Sequence, residues 1–238
     1  RTGMRNYSLT LALLVGLGGM AAGFAGDLTG KVILKGTPAA EREINMSADP
    51  KCGALHTEPV ATRFYVTAPD GGLGDVLVYV KAGLEEKEWP MPEEKALLDQ
   101  KGCECDPYVM GVRVGQVIQI RNSDPTLHNV HATPKINKEF NFAQPVQGMV
   151  TEKAFDQTEI PVRFKCDVHP WMFAYVGVFD HPFFAVTDEK GNFKISNLPD
   201  GKYTLVAYHR KTHNTEEGVL KEITVTGDST VELTVEIK

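Results

Sequence analysis

Four side chains in two short stretches have the types and spacing to hold a transition metal. Val162-Arg163-Phe164-Lys165-Cys166-Asp167-Val168-His169-Pro170-Trp171-Met172 delivers a cysteine at the end of a β-run, a histidine three residues on and a methionine three further. The chain then resumes as an apolar β-run, Tyr175 to Phe179. Thiolate, imidazole and thioether converging on one point suit copper that moves between its two oxidation states, with the thioether as a weak axial ligand. Zinc favours closed Cys/His sets and has no need of a thioether, so Met172 argues against it. Pro170 and Trp171 would stiffen the loop and exclude water.

Such a site needs a second imidazole. Asn122-Ser123-Asp124-Pro125-Thr126-Leu127-His128-Asn129-Val130-His131 follows another β-run and offers two. On an extended strand His128 and His131 point to opposite faces, so only one of them serves. The other is expected at the surface or behind a ligand.

The elements that must position these residues read as β throughout. Leu28 to Leu34, Arg63 to Thr67 and Val112 to Ile120 alternate apolar and polar residues, and Val76 to Val80 is a more continuous run. Pro69-Asp70-Gly71-Gly72, Asn122 to Pro125 and Asp106-Pro107 supply turns between them. Glu85 to Gly102 breaks the pattern and reads as an acidic insertion loop with a turn or two of helix over Glu93 to Gln100. After Asp180-His181-Pro182, a further set of alternating runs begins at Phe183, with turns at Asp188 to Asn192 and Leu198 to Gly201.

At this point a family resemblance can be stated. Leu127-His128-Asn129-Val130-His131 followed by Cys166-x2-His169-x2-Met172 resembles the plastocyanin/amicyanin group of cupredoxins, with the loop spacing of amicyanin. It implies one mononuclear blue copper held by His128, Cys166, His169 and Met172. It also implies that Asn129 ties the two ligand loops together. The likeness is strong from about Gly111 to Asp180. The C-terminal motifs, Phe184-x-Val186-Thr187-Asp188 and Leu198-Pro199-x-Gly201-x-Tyr203, resemble a carboxypeptidase-regulatory or carbohydrate-binding-like (rhamnogalacturonan-lyase-type) β-sandwich. That second likeness concerns fold and says little of activity. The expected architecture is therefore all-β: an elaborated Greek-key cupredoxin sandwich over residues 26–182, followed by a small second sandwich over 183–238.

Four cysteines, Cys52, Cys103, Cys105 and Cys166, bear on compartment. In an exported protein paired thiols oxidise, and a metal-bound thiolate is protected. With Cys166 as a ligand, Cys52 is left to pair with Cys103 or Cys105, which are too close along a strand to pair with each other. Asp49-Pro50-x-Cys52 and Cys103-x-Cys105-x-Pro107 resemble an extended bacterial plastocyanin-like group, and that likeness implies the Cys52–Cys103 pair. Residues 1–25 read as a signal peptide: a basic start at Arg5, an uncharged Leu9 to Ala22, and small residues at Gly23 and Ala25. The mature protein is expected in the periplasm or outside the cell, with no stable membrane insertion. Its loss of Arg1 and Arg5 takes the net charge from −6 to −8, which argues against nucleic acid as a partner.

The expected function is outer-sphere electron transfer with a transient redox partner protein, without substrate turnover. Copper oxidases and nitrite reductases flank the blue-site cysteine with histidines, whereas Lys165 and Asp167 stand here. The competing class is a binding module, in which the scaffold stores or delivers copper or the C-terminal unit contacts polysaccharide.

Overall fold

The computed structural model describes residues 25–211 and 218–237, so all of the expected signal peptide but Ala25 lies outside the described residues. The described chain is all-β, with sixteen strands and one short helix, α1 (Pro50–Gly53). Strands β1 (Ala25–Lys35) and β2 (Leu77–Ala82) precede a block formed by β3 (Ala96–Lys101), β4 (Glu104–Asp106), β5 (Val109–Arg113), β6 (Ile118–Asn122), β7 (His128–Thr133), β8 (Phe140–Gln144), β9 (Val150–Lys153), β10 (Glu159–Lys165) and β11 (Phe173–Phe179). Then come β12 (Phe184–Val186), β13 (Asn192–Pro199), β14 (Gly201–Tyr208), β15 (Val219–Val225) and β16 (Ser229–Glu236).

Four sheets result. β5-β11-β10-β7-β8 faces β4-β3-β6-β9, with Leu98, Ile118, Ile120, Val130, Val162, Phe164 and Val176 closing the layer between them. β13-β1-β16 faces β12-β2-β14-β15 across Leu28, Val32, Val78, Ile195, Leu205 and Leu233. Alternation explains the strands directly: β1 buries Leu28, Val32 and Leu34, and β16 buries Val231, Leu233 and Val235.

The expected boundary at 182/183 does not follow this hydrogen bonding. β1 runs parallel to β16 and antiparallel to β13, and β2 pairs with β12 and β14. The second sandwich is thus assembled from both ends of the chain, and residues 96–179 form the other one between them. Alternation identifies a strand's buried face and says nothing of its neighbour, so reading along the chain places β1 and β2 with the strands that follow them and not with β13, β14 and β16. The two sandwiches meet at a small apolar cluster of Leu77, Tyr79, Val109, Phe179 and Val206. Phe184 stacks on Phe179 there, with ring centroids 4.4 Å apart. Gly111 permits that approach, since a Cβ on it would lie 2.4 Å from the Phe184 ring.

Three local expectations are corrected. Ala96 to Lys101 is a strand, parallel to β6 and antiparallel to β4, and not helical. Arg63 to Thr67 forms no strand: the Glu41 carboxylate accepts the amides of Phe64 (2.8 Å) and Tyr65 (2.6 Å) that a sheet partner would have taken. Val112 to Ile120 is divided between β5 and β6 by a turn at Val114 to Val117.

Candidate metal centre

The site forms where two neighbouring strands release their loops. β7 pairs antiparallel with β10, placing His131 opposite Lys165, so His128 at the start of β7 lies beside the loop that leaves β10. That loop, 166–172, folds back on itself: the Met172 amide donates to the His169 carbonyl at 3.0 Å and the Cys166 amide to the Met172 carbonyl at 3.2 Å. β11 then takes up its pairing with β10 at Phe173. The turn requires no glycine and brings Cys166, His169 and Met172 to one side.

His128, Cys166, His169 and Met172 are all buried. The His128 and His169 Nδ1 atoms are 3.0 Å apart, and Cys166 Sγ is 3.7 Å from His169 Nδ1. Met172 belongs to the same buried cluster as Cys166. The sulfur accepts two backbone amides, from Asn129 and His169, each at 3.4 Å. Burial works against a charged sulfur, but His128 and those amides outweigh it and hold the Cys166 thiol below its ordinary range.

Two carboxylates that the sequence reading did not single out stand behind the imidazoles. Asp124 Oδ2 lies 2.8 Å from His128 Nε2, and Asp49 Oδ2 lies 3.1 Å from His169 Nε2. Asp124 also accepts the amides of Gly102 and Cys103, each at 2.7 Å. Burial opposes its charge, yet these donors keep its carboxyl below the usual range. Asp49 is lowered chiefly by His169, against burial. It is the N-cap of α1, accepting the Lys51 amide at 2.9 Å, and the helix is tethered by the Cys52–Cys103 disulfide. Both acids sit inside stretches noticed for other reasons, the turn Asn122 to Pro125 and the Asp49-Pro50-x-Cys52 motif. Their proximity to the histidines is tertiary and left no spacing signal.

The donor chemistry fits a metal. With each Nε2 hydrogen donated to a carboxylate, both Nδ1 lone pairs face one another across 3.0 Å. Only a proton or a cation between them relieves that repulsion. Burial disfavours a charged His128, but Asp124 and Cys166 prevail and raise it to about 9. Two imidazole nitrogens and a thiolate are the trigonal set of a soft, redox-active cation such as copper.

The remaining sequence-selected residues are placed as follows. Asn129 accepts the Asp167 amide through Oδ1 at 2.9 Å and donates to the Phe142 carbonyl at 3.2 Å, joining the loop after Cys166 to β8. Trp171 lies tilted against His169, with ring centroids 5.2 Å apart, and its Nε1 donates to the Cys103 carbonyl at 3.0 Å. Pro170, Trp171 and Met172 line a cavity of about 250 Å³ with Phe64, Tyr108 and Arg210. His131 lies on the opposite face of β7, between Asp167 and Glu139. Cys105 is a free thiol that burial pushes up to about 12. His209 is buried, its ring 5.3 Å from that of Tyr65.

No protein-family model matches the chain, and no curated protein matches it. Among solved structures, a purple cupredoxin from Nitrosopumilus maritimus is 21% identical with a TM-score of 0.31, the match covering 36% of this chain and 100% of that one. A Cu(I) form of an amicyanin variant is 18% identical with a TM-score of 0.33, over 41% of this chain and 98% of that one. A copper-containing nitrite reductase from Thermus scotoductus SA-01 is 16% identical with a TM-score of 0.32, over 41% of this chain and 25% of that one. Each is similar to only part of the chain, and the functional reading rests on the site itself.

Proposed function

We propose that this protein carries single electrons between partner proteins outside the cytoplasm, on one copper ion held by His128, Cys166 and His169 with Met172 as axial ligand. The observation that carries this reading is the convergence of two Nδ1 atoms and a thiol in a buried pocket whose outer nitrogens are already committed to carboxylates. When bound, copper supplies the one-electron exchange between its two oxidation states. The protein's part is to keep the donors still. His128 is fixed by β7 and Asp124, and Cys166 and His169 by the loop's own hydrogen bonds. Trp171 and the tethered helix keep water away from His169. A site held this rigidly presents the same donors in both oxidation states, which favours electron transfer over binding and release. Leu127 and Val168, exposed apolar residues beside the ligands in the chain, offer a transient partner a desolvated face.

The test is one equivalent of Cu(II) added to the purified chain, followed by visible and electron paramagnetic resonance spectra. An intense thiolate-to-copper band with narrow hyperfine splitting is expected. Cys166→Ser should lose the band entirely while retaining the circular dichroism of the fold. Met172→Leu should keep the band and shift the reduction potential. A colourless wild-type product, or a band that survives in Cys166→Ser, would overturn the assignment.

A further inference from the structure

Resting on the copper reading, we propose that Asp49 and Asp124 are positioning residues that aim both imidazoles inward and set the reduction potential, with Asp49 clamping the two ligand loops from outside. An imidazole has two nitrogens on opposite edges of its ring, and the partner of one decides what the other faces. Here both outer edges meet a carboxylate, at 2.8 Å for His128 and 3.1 Å for His169. The hydrogen on Nε2 is thereby fixed, and the lone pair on Nδ1 is left for the metal. Each carboxylate also places a negative charge behind its ring, poorly screened at buried Asp124 and more exposed to solvent at Asp49. That charge favours the more highly charged state of the ion and so lowers the potential.

Asp49 has a further part. Its Oδ2 accepts both His169 Nε2 and, at 3.1 Å, the hydroxyl of Thr126. Thr126 belongs to the loop that presents His128, so one carboxylate joins that loop to the one carrying Cys166 and His169. Asp49 itself comes from the connection between β1 and β2, outside the sandwich that supplies the ligands. It is held in place by its cap on α1 and by the disulfide, whose Cys52 Sγ is 3.5 Å from His169 Nε2. The loss of Asp49 should therefore reach the metal through His169 without removing any ligand.

The experiment compares Asp49→Asn with Asp49→Ala in the full chain. Asparagine keeps an acceptor for Nε2 and removes the charge, whereas alanine removes both. In Asp49→Asn the preference for Cu(I) over Cu(II) should rise about tenfold, a positive shift of about 59 mV for a one-electron couple. In Asp49→Ala copper affinity should fall a further ~10–100-fold, the usual cost of losing a ligand's outer partner. Asp124→Asn should shift the potential in the same direction. A potential unchanged in Asp49→Asn, measured on wild-type protein that does show the thiolate band, overturns the proposal. If the wild type shows no such band, the copper reading has failed, and a metal-free measurement decides this one. Long-range 1H–15N NMR should then find the His169 hydrogen on Nε2, with its resonance displaced in Asp49→Ala. An undisplaced resonance would refute the clamp.

Discussion

Both sandwiches close two sheets over an apolar layer, yet they treat polar side chains in opposite ways. Between β13-β1-β16 and β12-β2-β14-β15, the buried polar residues among those described are Thr187 and His209. Thr187 is fully accounted for, donating to the Leu73 carbonyl and accepting the Val76 amide. The other sandwich buries Gln100, Asn122, Asp124, Thr126, His128, Gln144 and His169. These interlock: Gln100 donates to Gln144 at 2.5 Å, Asn122 donates to the carbonyls of Thr126 and Gln144, and Gln144 donates to that of Ile120. Each such group is costly to desolvate unless bonded, so the concentration marks the place where the fold gives up apolar burial to orient something. One sandwich closes, among the described residues, almost wholly on apolar side chains. The other holds a rigid polar end, and the plain sandwich's own connection, through Asp49 and Cys52, closes over it.

The sharpest way to break that picture is to cut the tether. The Cys52–Cys103 bond closes a loop with a sequence separation of 51, and replacing both cysteines by alanine should cost about 4 kcal/mol in guanidinium unfolding. Copper should remain bound but more readily lost, since α1 no longer presses Asp49 on His169. An unchanged midpoint would mean that the connection is held by its other contacts and that the two halves are not joined through the site.

A smaller effect tests the separation from the other side. Leu205, fully buried in the plain sandwich, should cost about 3 kcal/mol when changed to alanine. The thiolate-to-copper spectrum should be untouched. A perturbed spectrum would show that core strain crosses the Phe179–Phe184 contact and that the sandwiches are less independent than their cores suggest.

These contrasts also explain what the sequence could disclose. Cys166, His169 and Met172 lie on one turn, so their spacing is itself the geometry. Alternation leaves His128 open against His131, and only the resemblance of the stretch Leu127 to His131 to a known motif selects it. Asp49 and Asp124 look like an ordinary helix cap and an ordinary turn residue until the chain is folded. Glu93 to Gln100 carries helix-forming residues, but tertiary pairing with β4 and β6 overrides that preference. Arg63 to Thr67 has the alternation of a strand and lacks a neighbour, because the Glu41 side chain took its amides. Partnership is a property of the folded chain, and the mistaken boundary at 182/183 has the same origin.

The smallest effect concerns a buried histidine of the plain sandwich. His209 is buried, stacked on Tyr65, and its Nδ1 accepts the Lys211 amide at 3.4 Å. Burial, with Arg210 and Lys211 beside it, pulls it down to about 4, whereas Asp124 holds His128 up at about 9. In the unfolded chain a histidine titrates near 6.5. Between those values the unfolded state binds a proton at this position that the folded state refuses, so stability rises with pH across the window and falls as the solution is acidified. The loss begins below about pH 6.5 and reaches about 2–3 kcal/mol by pH 4.5. His209→Phe keeps the stacking ring and cannot be protonated. Guanidinium midpoints at pH 7, 5.5 and 4.5 should therefore fall less steeply for the variant than for the wild type. Parallel slopes would remove His209 as the source of the acid sensitivity and assign it to carboxylates such as Asp27, Asp70, Asp124 and Asp188, each held below its usual range.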